Sequence, residues 1–157
     1  MRLWHYKLLP YLPDMQLKGQ WRECCLIADT LAKKGTPNHL LVNRLLNYTP
    51  DHFEHYIGLA AKEMKNRGFT ISNKSIEKIS ICFTEWVLRP STRNFIYGIV
   101  KAQGLFDGWH NKEYLRMNMS NLAEKHIYGI GKSRITDEEW QRLLDGYKNI
   151  TGEEYKI

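Results

Sequence analysis

The sequence predicts an all-α protein: one compact multi-helix domain with an irregular N-terminal arm packed across it. Three observations predict it. Apolar residues recur every three or four positions through most of the chain. Helix starts recur as Thr-Pro pairs or as a Thr-x-x-Glu box. Glycines and an Arg-Pro step fall where those periodic stretches end.

Pro10 and Pro13 disfavour helix in residues 1–13, which read as an extended arm. Asp14 is the expected N-cap of a helix over residues 14–34, with Gly35 as its stop. Leu17, Trp21, Cys24, Ala28 and Leu31 share its core-facing stripe, and Arg22 and Glu23 flank it. Thr36-Pro37 predicts a short helix through Leu46. Thr49-Pro50 repeats the device for a helix that buries Phe53, Ile57, Ala60 or Ala61, and Met64, and ends at Gly68. Residues 72–88 read as the next helix, with Ile76, Ile79, Phe83 and Trp86 or Val87 inside, broken by Arg89-Pro90. Residues 91–103 mix β-branched and aromatic side chains at helical spacing and are assigned to helix. A loop spans 104–108, and a helix over 110–126 buries Tyr114, Met117 and Leu122. The glycine-rich stretch 129–134 reads as a solvated basic loop, with contact to a nucleic-acid backbone as the alternative. Its spacing matches neither phosphate-binding glycine motif, so no nucleotide site is expected. Thr136 and Glu139 form a capping box for a last helix to Asn149, on which Trp140 and Tyr147 are expected to pack.

A chain of 157 residues suits a single domain over 1–157. No apolar run is long enough to span a membrane, and Arg2, His5 and Lys7 interrupt any signal-like segment. A cytoplasmic protein is the expectation. The net charge of +6 suggests an anionic partner, with nucleic acid first among them. Cys24, Cys25 and Cys82 form neither a metal nor a redox pattern and read as reduced thiols. His52 and His55 are three apart on one helix face but lack the carboxylate that accompanies zinc-binding helices. They read as surface histidines, and no metal or cofactor is expected.

The opening residues carry the chemistry. A free chain terminus lies beside Arg2, and Arg22 and Glu23 follow side by side on the first helix. An amine, a carboxylate and two guanidinium groups suit Schiff-base chemistry on a polyanion. An α-amino group, with an ordinary pKa of about 7.7–8.0, is a better neutral-pH nucleophile than a lysine at about 10.4. On the residues alone, Arg22-Glu23 also reads as an exposed charged pair on a helix.

The segment Leu12-Pro-Asp-Met-Gln-Leu-Lys-Gly-Gln-Trp-Arg-Glu23 resembles the same region of the pyrimidine-dimer DNA glycosylases, the endonuclease V family of bacteriophage and bacteria. The opening MRLWHYKLLPYLP is similar to a bacterial branch of that family. Fainter matches lie at Glu63-Met-Lys-Asn-Arg-Gly-Phe-Thr-Ile71 and at Asn121-Leu-Ala-Glu-Lys125. The resemblance implies a DNA repair glycosylase with abasic-site lyase activity. The N-terminal α-amine would attack the sugar, with the glutamate of the Arg-Glu motif as the essential carboxylate. Carried onto this chain, Met1 supplies the amine and Glu23 the carboxylate. Arg2, Arg22, Gln16 and Lys33 are the DNA-binding candidates. The implied partner is double-stranded DNA carrying a damaged base or an abasic site, acted on by a monomer without a membrane.

This chain departs from the family at named positions. In phage members the initiator Met is removed and a threonine provides the amine. Here the second residue is Arg2, a bulky side chain that usually prevents Met removal, so the amine is that of whichever residue comes first in the mature chain, Met1 ahead of Arg2. Gln16 replaces a family histidine, and Leu26 replaces a family arginine. A helical nucleic-acid-binding protein that keeps the fold without the cleavage chemistry is the alternative reading.

Overall fold

The structure is a computed structural model and describes residues 1–89 and 104–156. The described residues form α-helices and 3-10 turns, with no strand among them. The helices are α1 (Asp14–Lys34), α2 (Pro50–Asn66), α3 (Asn73–Val87), α4 (Lys112–Tyr128) and α5 (Asp137–Thr151). Short 3-10 turns cover Tyr6–Tyr11, Val42–Asn47 and Gly131–Ser133. The all-α expectation therefore holds. The helix expected over 91–103 lies outside the described residues.

The first helix is the centre of the packing. One face of α1 meets α3 along its length and α2 beside it. Leu17, Trp21, Cys24, Ala28 and Leu31 are all buried, as their spacing required. Gly35 stops α1 at φ 72°, where its N–H donates to Leu31 O at 2.8 Å. Asp14 is not the cap. Pro13 takes that place, and Asp14 is instead the first helical residue, where its carboxylate meets the Arg67 guanidinium at 2.9 Å.

The N-terminal arm is not extended throughout. Residues Tyr6–Tyr11 coil into a 3-10 turn with Pro10 inside it, a geometry that needs no N–H from proline. The turn leaves carbonyls without partners at its end, and two arginines from distant helices supply them. Arg67 Nη1 donates to Leu12 O at 2.6 Å, and its Nη2 donates to Pro10 O at 3.0 Å and Leu9 O at 3.2 Å. Arg142 reaches the same region from α5, donating to Leu12 O at 2.9 Å and Tyr11 O at 3.2 Å. Leu3, Leu8, Leu9 and Leu12 are buried beneath. The arm is thus part of the core, held by guanidinium-to-carbonyl bonds that count as charge-assisted.

Other boundaries also shift. Thr36-Pro37 starts no helix: Thr36 Oγ accepts from Asn38 N at 3.2 Å, two residues on, and Asn38 takes φ 51°. That side-chain turn competes with a helix start, so helical structure begins only at Val42. Thr49 and Pro50 do start α2, and Ser72 caps α3 by accepting from Ser75 N at 3.2 Å. On α2 Phe53, Ala60 and Met64 are buried as expected, Tyr56 is buried with them, and Ile57 sits at the edge. On α3 Ile79, Cys82 and Trp86 are buried and Ile76 is exposed. On α4 Met117 is exposed, and Leu115, Asn118 and Met119 lie inside beside Tyr114 and Leu122. The capping box at Thr136 and Glu139 is formed, and Trp140 and Tyr147 pack inside. No helix among the described residues is long and apolar enough to cross a membrane. The cysteines are free, with Cys24 and Cys82 buried.

Candidate active site

The first five residues run between three helices, and side chains rather than a neighbouring strand satisfy their backbone. Gln20 of α1, 1% exposed, accepts from Trp4 N at 2.9 Å and donates to Arg2 O at 3.0 Å. Tyr56 of α2 donates to Trp4 O at 2.8 Å. Tyr114 of α4 donates to Leu3 O, and Asn118 Oδ1 accepts from His5 N at 2.7 Å. These buried bonds account for the polar backbone that a non-helical segment must otherwise expose. They also fix where the chain begins.

That beginning lies over α1. The Met1 nitrogen is 3.8 Å from Glu23 Oε2. Gln20 and Glu23 are three residues apart, so the residue that holds the terminal backbone and the residue that meets the amine share one helix face. Glu23 Oε2 is buried and has no hydrogen-bond partner. A buried carboxylate oxygen in that state costs free energy. The terminal ammonium is its ion-pair partner. Cys24, the next residue, is no competitor as a nucleophile, because burial pushes its thiol far up from its ordinary value.

The pair opens on a cavity of about 600 Å³. Its floor is the α1 face that includes Gln16, Gly19, Gln20 and Glu23. A Cβ at Gly19 would meet nothing closer than Arg22 Nη2 at 4.0 Å. Met1, Arg2 and Trp4 form one side. His39 and Leu41 approach from the segment after α1, and Lys125, Lys132 and Ser133 from the end of α4 and the following loop. Among these lining residues Glu23 is the one carboxylate, whereas Arg2, Arg22, Lys125 and Lys132 are cationic. The Arg2 guanidinium stacks 4.5 Å from the Trp4 ring centroid and donates to Asn121 Oδ1 at 3.1 Å. Gln16 ties the floor to the basic loop, its Nε2 3.4 Å from Ser133 O.

Of the residues expected at a site, Met1, Glu23, Arg2, Arg22 and Gln16 all line this cavity. Lys33 does not. It lies ten residues beyond Glu23 on α1, roughly 15 Å along the helix, and binds Asp29 at 2.6 Å. Sequence reasoning gave no site role to Gln20, Asn121 or Lys125, and gave the loop that holds Lys132 a nucleic-acid contact only as the alternative. The basic character of the 129–134 loop was visible, but its return to α1 spans more than a hundred residues of chain and carries no local signal. No group of three or more metal-ligating side chains occurs among the described residues, those around His52 and His55 included. Instead His52 Nδ1 accepts from Phe106 N at 3.0 Å.

No curated protein and no solved structure matches the chain. Residues 1–77 match the family model described as pyrimidine dimer DNA glycosylase. The matched span contains the terminal segment, all of α1 with Gln20, Arg22 and Glu23, and the Arg67 that holds the arm in place. On that match, the N-terminal part of the chain, residues 1–77, is similar to the pyrimidine dimer DNA glycosylase family.

Proposed function

We propose that this protein is a DNA repair glycosylase with abasic-site lyase activity, working through a Schiff base between the Met1 α-amine and the deoxyribose of a damaged nucleotide. The observation that carries this reading is the Met1 nitrogen 3.8 Å from the Glu23 carboxylate on a cavity walled by cations.

The chemistry follows from those groups. The neutral amine attacks C1′ of the sugar; the N–C1′ bond forms and the glycosidic bond breaks, its electrons leaving with the base. The base takes up a proton, the sugar ring opens, and an iminium remains. Glu23, facing that nitrogen across a few ångströms, stabilises the positive charge more strongly than water does. The iminium draws electrons from the neighbouring carbon, so a proton on C2′ becomes acidic. A carboxylate within reach of that carbon accepts it, the electrons form a carbon–carbon double bond, and the 3′-phosphate leaves. Water then hydrolyses the imine, restoring the amine and releasing an unsaturated aldehyde. Arg2, Arg22, Lys125 and Lys132 bind the flanking phosphates and hold the sugar over the amine. Turning a nucleotide out of the stack costs a few kcal/mol, least at a damaged pair.

The experiment is borohydride reduction of the protein with an abasic-site duplex. A covalent adduct is expected for the wild type and is expected to fall by about 10²–10⁴ in rate for Glu23→Gln, the range for loss of a general acid–base group. DNA binding without any adduct would favour the non-catalytic binding protein.

A further inference from the structure

The last turn of α4 and the loop after it leave large apolar side chains in water. Ile127 is 53% exposed, Tyr128 76% and Ile130 87%. A lone exposed apolar residue is ordinary, whereas a cluster calls for a partner. The loop that presents Ile130 is tightly built. Gly129 N donates to Lys125 O at 3.1 Å, and Ile135 N reaches the same carbonyl at 3.3 Å. Ser133 Oγ donates to Ile130 O at 2.9 Å. A Cβ at Gly129 would lie 2.1 Å from Lys125 O and 2.8 Å from Arg134 Cα, so glycine alone permits this close return. Ile135 then plugs the core at 0% exposure. Ile130 is therefore held outward between fixed anchors.

Two residues further on, Lys132 and Ser133 line the candidate cavity. Ile130 stands two residues along the chain from that lining. The cations of this stretch are Lys125, Lys132 and Arg134, with Glu124 and Asp137 as its carboxylates, and Lys125 and Lys132 are the ones that line the cavity. An apolar tip close in the chain to those two lysines fits a partner that is anionic outside and apolar inside, which describes a stacked duplex and not a helix-binding groove or an oily protein face. We propose that Tyr128 and Ile130 form a wedge for duplex DNA whose lesion sits in the cavity, entering the base stack next to the nucleotide turned out toward Met1. The proposal rests on reading the cavity as a DNA site. It assigns to the part of the chain beyond the family match the task of opening the duplex.

The test uses the double variant Tyr128→Ser with Ile130→Ser, whose side chains are exposed, checked for an unchanged thermal melt. Two readouts are taken: fluorescence of 2-aminopurine beside a non-reactive tetrahydrofuran abasic analogue in a duplex, and borohydride trapping on true abasic sites. The wild type is expected to raise the fluorescence and the variant to leave it low. Trapping is expected to fall about tenfold or more on duplex and to stay within about twofold on a single strand, where nothing needs unstacking. Equal trapping by both proteins on duplex, or equal losses on duplex and single strand, would overturn the wedge. So would unchanged DNA readouts with altered sedimentation, which would assign the patch to a second copy of the chain. If the wild type traps neither substrate, the Schiff-base reading fails, and the fluorescence comparison alone then decides the wedge.

Discussion

Gln20→Ala is the perturbation that separates holding the amine from providing it. The Gln20 amide accepts from Trp4 N at 2.9 Å and donates to Arg2 O at 3.0 Å, and the residue is 1% exposed. Truncation leaves one buried N–H and one C=O without partners. At roughly 1–3 kcal/mol for each, the loss is about 2–6 kcal/mol. A fold of ordinary stability, about 5–15 kcal/mol, survives most of that range. The bonds from Tyr56, Tyr114 and Asn118 persist at residues 3–5, so the loosening falls on Met1 and Arg2. A displacement of about 1 Å at the reacting atom is worth about 10²-fold in rate. Urea unfolding would measure the stability term. Single-turnover borohydride trapping at saturating abasic duplex would measure the positioning term, with affinity for the tetrahydrofuran analogue measured beside it. The expected pattern is a rate loss near 10²-fold with affinity within about threefold of wild type. Gln20→Glu keeps an acceptor for Trp4 N but cannot donate to Arg2 O, and should fall between the two. A Gln20→Ala protein that loses stability yet traps at the wild-type rate would refute the clamp.

Further outcomes follow from the same geometry. Lys132→Ala should weaken DNA binding and reduce the slope of log K against log salt by about one phosphate contact, whereas Lys33→Ala, engaged with Asp29 on another part of α1, should leave it unchanged; binding titrations at several salt concentrations check both. Burial lowers the pKa of His5 to about 4 and drives His110 lower still, while the unfolded chain protonates both near 6.5. Below that value the unfolded state binds more protons, so stability should fall as pH drops from about 6.5 toward 4, by up to about 1.4 kcal/mol per pH unit for each histidine. Unfolding curves across that range, compared with a His110→Asn variant that should flatten the dependence, test it. Gly146→Ala would set a methyl 2.4 Å from the Tyr11 ring, and the resulting overpacking, about 1–3 kcal/mol, should outweigh the helix propensity gained and lower Tm in a thermal melt.

The legible parts of the chain were those set by local chemistry. Apolar spacing placed the buried stripe of α1, and Thr136 with Glu139 marked the start of α5, because both depend on residues a turn or two apart. The Arg22-Glu23 pair was legible as a motif. Its meeting with the chain terminus was expected from the family resemblance and not from spacing. What escaped the sequence is long-range. The 3-10 turn through Pro10 is held by Arg67 and Arg142, whose partners lie more than fifty residues away. Thr36-Pro37 carried a helix-start signal, and an Asn38 with positive φ won there instead. Lys125 and Lys132 reach the cavity only because α4 and its loop fold back over α1. Met117 was misplaced by one face of α4, where Asn118 turns inward to satisfy His5 N. A polar residue facing the interior is hard to anticipate from periodicity, since the pattern counts it as surface.

The most direct measurement is the identity of the atom that becomes bonded to the sugar. Borohydride-reduced adduct formed on an abasic duplex, digested and sequenced by mass spectrometry, should carry the deoxyribose remnant on the α-nitrogen of the N-terminal peptide, and prior acetylation of that amine should abolish the adduct. A remnant on a lysine side chain, or an adduct that forms undiminished after the terminus is blocked, would contradict the pairing of Met1 with Glu23 as the centre of the reaction.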